Sequence, residues 1–233
     1  MKGLVYGVRP DAWTAPDEAN PLQAGLARTP MKLVDMDVPH PLRRRWVMAK
    51  TRLTGICGSE AKQVFMDFGE DNSDSPLGSL FTFPTVLGHE VVAEVAELGP
   101  DARGLEVGQR VVLNPWLSCG PRGIEPMCGS CQAGDYSLCW HFLDGDLAAG
   151  IHTGTCKDAP GGFAEYIPAH DSMLFPVPDG VPDEVAVFAD PYAVSLHSIT
   201  RHPPPPGGKV LVYGAGALGT TATAILRALH PDV

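Results

Sequence analysis

Four of the six cysteines in this sequence lie close together, within the stretch SCGPRGIEPMCGSCQAGDYSLC. They are Cys119, Cys128, Cys131 and Cys139. A disulfide framework, a redox pair and a metal site are the possible uses of such a cluster. Thiols stay reduced in the cytosol, where we expect this chain, so a metal site is favoured over disulfides. Four thiolates can hold one tetrahedral zinc ion, and its binding energy would stabilise an irregular, glycine-rich loop.

A second candidate site is the glycine-rich turn in KVLVYGAGALGTTATAILRAL. Gly214, Gly216 and Gly219 form a G-x-G-x-x-G pattern that follows an apolar stretch and opens a helical one. The first glycine permits a tight turn, the second lets a pyrophosphate approach the backbone, and the third lets the helix pack against the strand. Free N–H groups where the helix begins, at Ala217 and Leu218, would face the phosphates. The pattern predicts dinucleotide binding, with a plain strand-turn-helix as the alternative.

Three short stretches that lie far apart carry a third set of potential metal ligands. They are GICGSE (55–60), LGHE (87–90) and FADP (188–191). Cys57 offers sulfur, His89 offers nitrogen, and Glu90 or Asp190 offers oxygen, a combination that suits a zinc ion with an open fourth position. A histidine beside a glycine is often structural, and spacing alone leaves open whether the fold unites these residues.

Most of the chain predicts short strands. Residues 1 to about 190 contain five runs of β-branched and aromatic residues between Gly, Pro and Asp: GLVYGV, RRRWVMAKTRLTGIC, EVVAEVAELG, QRVVLNP and GGFAEYIPAH. Such runs without long helical stretches between them predict a barrel-like sheet. Residues 67–84 are polar and are expected on the surface.

The pattern changes to a helical one towards the end of the chain. Apolar residues recur at spacings of three and four at Val185, Phe188, Tyr192, Leu196 and Ile199. We expect Pro191 to divide this stretch into two helices. The connector PPPPGG (203–208) then precedes a strand, the glycine turn and a helix. The expected apolar face of that last helix consists of Leu218, Ala222, Ile225 and Leu229.

The composition indicates a globular protein without a basic surface. The 233 residues carry a formal charge of −10, and the 26 glycines and 23 prolines are spread along the chain as turn residues are. The basic run at 43–45 is too short to indicate a nucleic-acid partner. No apolar run has the length of a membrane span, and the N-terminus lacks a signal peptide's apolar segment. We therefore expect a cytoplasmic protein that binds neither nucleic acid nor a membrane.

Taken together, the motifs resemble the zinc-dependent medium-chain alcohol dehydrogenase family. GICGSE, LGHEVVAEVAELG, QRVVLNP, the four-cysteine lobe, GGFAEY, ADPYAVSLH and VLVYGAGALG occur in that family's order and span nearly all of the sequence. The resemblance implies a β-rich GroES-like barrel domain over residues 1–190, with a lobe at about 115–142. Residues 191–233 would be a linker helix and the start of an α/β Rossmann domain, whose complete form is a doubly wound parallel sheet.

The resemblance also implies roles for the dispersed set. Cys57 and His89 would be ligands of a catalytic zinc, and Glu90 would be a ligand or lie just behind the metal. Asp190 stands where the family places its third ligand, a Cys or a Glu, and an Asp is shorter than Glu. The sequence therefore leaves the third ligand open between Glu90 and Asp190.

The implied reaction is hydride transfer between an alcohol or polyol and NAD or NADP, with two zinc ions per chain. Ser59 would pass the substrate's proton onward, and Glu60 would orient His89. The substrate would be a small alcohol, aldehyde or ketone, and a full-length form would be a homo-oligomer. The sequence leaves open the choice between NAD and NADP, because the acidic residue that contacts the ribose is expected at or beyond Val233.

Two other functions are alternatives. One is a zinc-free quinone or enone reductase of the same superfamily, which would not need the two sets of zinc ligands. The other is a truncated or degenerate relative that binds zinc and turns over nothing. Because the family normally continues well beyond residue 233, we expect the chain alone to be inactive.

The lobe departs from the family's usual pattern. Eight residues separate Cys119 from Cys128, where the family usually has two. Glu125 is therefore an alternative fourth ligand, although four thiolates favour Cys119. Cys156 matches no ligand position and is expected to be a small buried or half-exposed thiol.

Overall fold

The computed structural model describes residues 1–9, 17, 19–40, 43–65 and 81–233, and two antiparallel sheets form its centre. The smaller sheet has the strand order β2 (Met31–Asp35), β1 (Lys2–Tyr6) and β4 (Thr85–Val86). The larger has the order β7 (Tyr166–His170), β3 (Trp46–Thr54), β5 (Val91–Leu98), β6 (Arg110–Leu113) and β8 (Leu174–Pro176). The Leu4 backbone N–H donates to the Phe163 carbonyl at 2.9 Å and links β1 to the segment before β7.

Each of the five stretches predicted as strands contains one, namely β1, β3, β5, β6 and β7. The other three strands, β2, β4 and β8, have between two and five residues. Strands β4 and β8, with two and three residues, carry too little alternation of apolar and polar residues to be predicted from sequence.

The larger sheet carries the main apolar core. The first four residues of β3 are all buried, so neighbouring elements cover both faces of the sheet there. The core includes Trp46, Val47, Ala49, Val91, Ala93, Val95, Val111, Leu113, Leu117, Leu147, Ile167, Ala169, Met173 and Leu174. Each fully buried Val or Leu contributes about 1.5–3 kcal/mol through loss of its contact with water. This core fixes the ends of β3 and β5, next to which the candidate ligands lie.

Three short helices lie between the strands: α1 (Pro21–Leu26), α2 (Gly58–Val64) and α3 (Gly129–Gln132). Single 3₁₀ turns follow at Tyr136–Leu138 and Asp171–Met173. Of these elements, α2 and α3 begin at cysteines of the two candidate metal sites.

The last part of the chain is helical, with α4 (Asp183–Ala186), α5 (Ala189–Arg201) and α6 (Ala217–Leu229). The predicted division into two helices is confirmed, but the break lies at residues 187–188 and not at Pro191. Pro191 lies in the first turn of α5, where the missing N–H would have no partner within the helix. The predicted boundary between residues 190 and 191 falls inside α5, and the division into domains remains a prediction.

Helix α6 packs against α5. The Ser195 hydroxyl donates to the Leu218 carbonyl at 3.1 Å, and Ile225 is buried at the contact. The predicted apolar face of α6 is only partly correct, because Leu218 and Leu229 are about half exposed. A single neighbouring helix covers only part of such a face.

Residues 209–213, predicted as a strand, pair with no other strand in the described part of the chain. Leu211 is 88% exposed and Tyr213 is 99% exposed. An apolar segment forms a stable parallel strand only with neighbours beside it and helices over its faces, which explains the difference. The glycine turn and α6 are therefore present without the expected strand.

Of the polar stretch predicted at 67–84, positions 67–80 lie outside the described residues. Among the helices that the structure describes, none has the length and apolar character needed to cross a membrane.

Candidate active site and metal centres

Cys57 and His89 lie beside the ends of the central strands. Cys57 follows β3 and is the N-cap residue of α2, and His89 lies in the turn between β4 and β5. Gly88 before it has φ of +100°, and a Cβ atom at this position would lie 3.0 Å from the Phe163 backbone nitrogen. A glycine is needed here because other residues rarely adopt this conformation. The turn directs the next two residues, His89 and Glu90, towards Cys57.

Cys57, His89 and Glu90 form one cluster of potential ligands. The Cys57 sulfur, a His89 ring nitrogen and a Glu90 carboxylate oxygen all lie within 4.8 Å of one another. His89 is buried, and the other two residues are half-buried. Sulfur, nitrogen and oxygen donors at such separations fit one zinc ion with a further position open to a small molecule. The structure thus brings three of the predicted ligands together.

Glu60 connects two members of this cluster. It is 3% exposed, one of its oxygens contacts His89 Nδ1, and the other accepts a hydrogen bond from the Cys57 backbone at 2.7 Å. A carboxylate that holds one ring nitrogen leaves the other free to bind a metal and fixes the orientation of the ring. This geometry fits the orienting role predicted for Glu60.

Without a metal, hydrogen bonds within the cluster hold a proton on His89 next to the Cys57 sulfur. Burial lowers the pKa of His89, but hydrogen bonds with Cys57 and Glu60 outweigh it and raise this pKa to about 10. The hydrogen bond with His89 is the main cause that lowers the pKa of Cys57. A histidine and a cysteine that share a proton in this way release it when a metal binds, because zinc binds thiolate and neutral imidazole.

The Glu90 carboxylate rests against Gly55. A Cβ atom at Gly55 would lie 2.1 Å from Glu90 Oε2, so the absence of a side chain creates the space that this carboxylate occupies. The Gly55 backbone N–H also donates to the Glu90 carbonyl at 2.8 Å. Burial raises the pKa of Glu90. The sequence motif contains Gly55, but its steric role depends on a contact that sequence does not reveal.

Asp190 and Ser59 lie near this cluster without being part of it. Asp190 is half-buried in the first turn of α5, and burial, which outweighs the opposing effect of His89, raises its pKa. It is not among the three clustered ligands. Ser59 is exposed in the first turn of α2, and hydrogen bonds from its side chain and backbone help to lower the pKa of Cys57.

A cavity of about 570 Å³ opens beside Asp190, between α5 and the four-cysteine lobe. Its wall is mainly apolar and includes Trp116, Tyr136, Phe175, Val194 and His197. Mostly apolar clefts with a few polar groups are the usual form of small-molecule sites. The cavity gives a small molecule room beside Asp190.

The four lobe cysteines form a second, closed cluster. Their sulfur atoms lie within 4.8 Å of one another, all four residues are buried, and none is in a disulfide. The Cys128 backbone N–H donates to Cys119 Sγ, and the His141 N–H donates to Cys139 Sγ, both at 3.4 Å. Burial opposes ionisation of Cys128, but backbone N–H groups of Trp140 and Cys131 outweigh it and lower its pKa to about 6. Four buried thiols at these separations fit a tetrahedral zinc ion.

Two other residues, Glu125 and Cys156, lie outside this cluster. Glu125, the alternative ligand, is exposed and is not part of the four-thiol set. Cys156 is fully buried, and its thiol donates to the Ala148 carbonyl at 3.3 Å. It lies outside both of the clusters found among the described residues.

The glycine turn has the local geometry that a dinucleotide requires. Gly214 has φ of +111°, and Cβ atoms at Gly214 or Gly216 would meet only open space. A Cβ atom at Gly219 would lie 2.1 Å from the Gly214 carbonyl oxygen, so this glycine permits the close packing of turn and helix. Gly216 is the N-cap of α6, no side chain caps the helix, and Ala217 and Leu218 are exposed. Free N–H groups where α6 begins fit a pyrophosphate.

Sequence reasoning missed three residues that shape these sites, namely Trp116, Arg122 and His152. The His152 ring lies 4.7 Å from the His89 ring, between centroids, and 6.2 Å from the Trp116 ring. Burial, and secondarily the proximity of His89, lower the pKa of His152 to about 4. Arg122, in the inserted part of the lobe, is fully buried. None of the three lies at a spacing that signals a motif.

Comparisons with known proteins agree with this geometry. Residues 43–179 match the alcohol dehydrogenase GroES-like domain. The chain is 35% identical to L-threonine 3-dehydrogenase of Aeromonas hydrophila over 192 residues, which are 82% of this chain and 49% of that protein. It is 31% identical to L-galactonate-5-dehydrogenase of Escherichia coli K12 over 181 residues, 78% of this chain and 45% of that protein.

A structural comparison supports the same fold. An E. coli protein described as a short chain alcohol dehydrogenase, complexed with NADH, matches with a TM-score of 0.70 at 23% identity, over 100% of this chain and 54% of that chain. The chain thus spans about half the length of the curated relatives that it matches. The domain match covers more than half of the sequence and confirms the predicted GroES-like fold. This chain belongs to the alcohol dehydrogenase GroES-like domain family, and the predicted resemblance to the zinc-dependent medium-chain alcohol dehydrogenase family is confirmed.

Proposed function

We propose that this chain provides the zinc site of an oxidoreductase that transfers hydride between an alcohol or polyol and NAD or NADP. The observation that carries the proposal is the convergence of Cys57, His89 and Glu90 within 4.8 Å, with Glu60 against the far side of His89. The L-threonine and L-galactonate dehydrogenases among its relatives suggest a substrate with several polar groups.

Cys57, His89 and Glu90 would hold the catalytic zinc. A zinc ion bound there would act as a Lewis acid that lowers the pKa of a substrate hydroxyl. Glu90 is preferred to Asp190 as the third ligand because its carboxylate belongs to the clustered set. Asp190 instead lines the cavity and would contact the bound substrate or cofactor.

Ser59 and Glu60, which follow Cys57 closely in the sequence, would have separate roles in the reaction. The exposed Ser59 hydroxyl can accept the substrate's proton and pass it to solvent, which requires a hydroxyl within hydrogen-bond reach. Glu60 is buried and would keep His89 in the ring orientation that a ligand needs.

The lobe would bind a second zinc ion for stability. Cys119, Cys128, Cys131 and Cys139 fill all four positions of a tetrahedral site, so no position remains for a substrate. The expected content is therefore two zinc ions per chain.

The nicotinamide cofactor would bind at the glycine turn. Gly214, Gly216 and the uncapped start of α6 would receive the pyrophosphate. The choice between NAD and NADP, a homo-oligomeric state and a cytoplasmic location remain predictions.

The experiment is oxidation of a panel of alcohols and polyols by zinc-loaded protein, with NAD⁺ or NADP⁺ at millimolar concentrations because cofactor binding is expected to be weak, followed by the absorbance of the reduced cofactor. We expect Cys57→Ser to abolish oxidation without loss of the fold. Oxidation that survives this substitution would contradict the proposal and favour a zinc-free reductase.

One observation favours a second candidate, a chain that binds zinc but has no turnover of its own. Residues 209–213 form no ladder in the described part of the chain, and a dinucleotide site of this type is built on a sheet. Zinc at both clusters, with no oxidation of any alcohol by the 233-residue chain, is the result that this candidate predicts.

A further inference from the structure

The His152 ring packs against the ring of His89, one of the three clustered ligands, and has no role in the reaction proposed above. Its ring is tilted by 48° against that of His89 at 4.7 Å and lies edge-on to Trp116 at 6.2 Å. Trp116 also lines the 570 Å³ cavity. The segment is held locally, because the His152 N–H donates to the Thr155 hydroxyl oxygen at 3.1 Å and the Thr155 hydroxyl donates to the His152 carbonyl at 2.7 Å.

One hydrogen bond fixes which ring nitrogen of His152 carries a proton. Nδ1 lies 2.7 Å from the Thr153 carbonyl oxygen. A carbonyl oxygen can only accept, so Nδ1 carries the hydrogen, and in the neutral ring Nε2 is then an acceptor. Nε2 has no hydrogen-bond partner among the described residues. Among the described residues, Nε2 is not one of the side-chain atoms that are both buried and without a hydrogen-bond partner. It therefore remains accessible to a small molecule.

We propose that His152 Nε2 accepts a hydrogen bond from a second donor group on the substrate, one or two carbons from the carbon that is oxidised. His152 would thereby select vicinal diols and amino alcohols over simple monohydric alcohols. This inference rests on the proposed function, because it takes the clustered ligands as the place where the reacting hydroxyl binds.

The geometry of His152 supports a role in substrate selection more strongly than a purely structural role. A ring that served only to fill space beside His89 and Trp116 would need no polar atom, and an apolar side chain would avoid the cost of burying one. Nδ1 is already paired with the Thr153 carbonyl, so Nε2 is the ring nitrogen that is left for a further hydrogen bond. A site built to hydrogen-bond a substrate group discriminates against analogues without it, since its own polar atom would stay unpaired.

The test uses the 233-residue chain with cobalt(II) in place of zinc, because visible absorption of cobalt reports binding at its open coordination position. The four-thiolate lobe has no open position and contributes a constant background. Titrations with propane-1,2-diol and with 1-propanol should show about tenfold tighter binding of the diol, as one well-made hydrogen bond allows. In His152→Phe the diol and 1-propanol should bind with about equal affinity. The affinity for 1-propanol should be the same as in the wild type.

Two further variants separate specificity from folding. His152→Gln restores an acceptor and should recover part of the preference for the diol. His202→Phe makes the same change at an exposed histidine after α5 and should leave both affinities unaltered. A diol preference that persists in His152→Phe would overturn the inference.

A measurement without metal or substrate turnover distinguishes failure of this inference from failure of the proposed function. Two-bond ¹H–¹⁵N correlation spectra of the chain should show His152 with a protonated Nδ1 and a bare Nε2. A protonated Nε2 would overturn the inference whatever the metal does. Cobalt spectra that do not change between wild type and Cys57→Ala would instead refute the proposed function, and the inference with it.

Discussion

Arg122 offers the sharpest test of how the lobe is built, and we expect Arg122→Met to destabilise the protein strongly. Its guanidinium donates to five backbone carbonyl oxygens and is fully buried. The acceptors are the carbonyls of Leu117, Asp144, Leu147, Ala148 and Gly150. The arginine thus joins the segment before the first lobe cysteine to the loop that leads to His152.

The size of the effect follows from this burial. A methionine fills much of the same space but leaves several carbonyl oxygens without donors, each of which costs about 1–3 kcal/mol where water cannot reach it. Partial repacking limits the total to about 3–5 kcal/mol of unfolding free energy. In a chain of this length each kcal/mol lowers the melting temperature by about 2–4 °C, so a fall of roughly 6–20 °C is expected. The melting temperature of Arg122→Lys should lie between those of wild type and Arg122→Met, because an ammonium group carries three N–H donors on one atom and cannot reach all five carbonyls as the planar guanidinium does.

The assay is thermal unfolding followed by circular dichroism at a fixed zinc concentration, since bound metal shifts the apparent stability. Arg44→Met is the matched control, because Arg44 is 75% exposed in its pair with Asp101 and its loss should change little. If Arg122→Met melts within the range of Arg44→Met, then Arg122 does not hold the lobe together and the reasoning is refuted.

Three further predictions concern the metal and cofactor sites. Cys128→Ser should lower the melting temperature and speed proteolysis within residues 119–139, while the cluster at Cys57 still binds one metal ion; unchanged stability would contradict a structural lobe zinc. Gly55→Ala should displace the Glu90 carboxylate and so weaken metal binding by Cys57, His89 and Glu90 by about 10–100-fold. Gly58→Ala is the control and should leave metal binding unchanged, because a Cβ atom there meets nothing within 4 Å. Calorimetric titration of the 233-residue chain with NAD⁺ or NADP⁺ should show no binding tighter than about millimolar, since residues 209–213 lack a sheet; a micromolar dissociation constant would refute this.

The features that could be predicted from the sequence are those encoded within one short stretch. The lobe cysteines and the glycine turn each lie in a single segment, so spacing alone indicated a metal site and a phosphate site. Cys57 and His89 are separated by more than thirty residues, and only the resemblance to a known family indicated that the fold joins them.

The features that could not be predicted depend on contacts between distant segments. Nothing in the sequence around Arg122 distinguishes it from a surface arginine. Its burial depends on carbonyl partners that lie up to 28 residues away along the chain. Gly55 and His152 act through side chains that other elements place beside them. The strand predicted at 209–213 failed for the same reason, because a strand requires a partner that local sequence does not specify.

We propose that the chain holds two separate zinc sites, an open one at Cys57, His89 and Glu90 and a closed one at the four lobe cysteines. The most direct test is the zinc content of purified wild-type and Cys57→Ala protein, measured by elemental analysis together with circular dichroism. We expect two zinc ions per wild-type chain, and one in Cys57→Ala with the fold retained, since the four-thiolate lobe is independent of Cys57. If Cys57→Ala keeps both ions or loses both, the assignment of the two sites is contradicted.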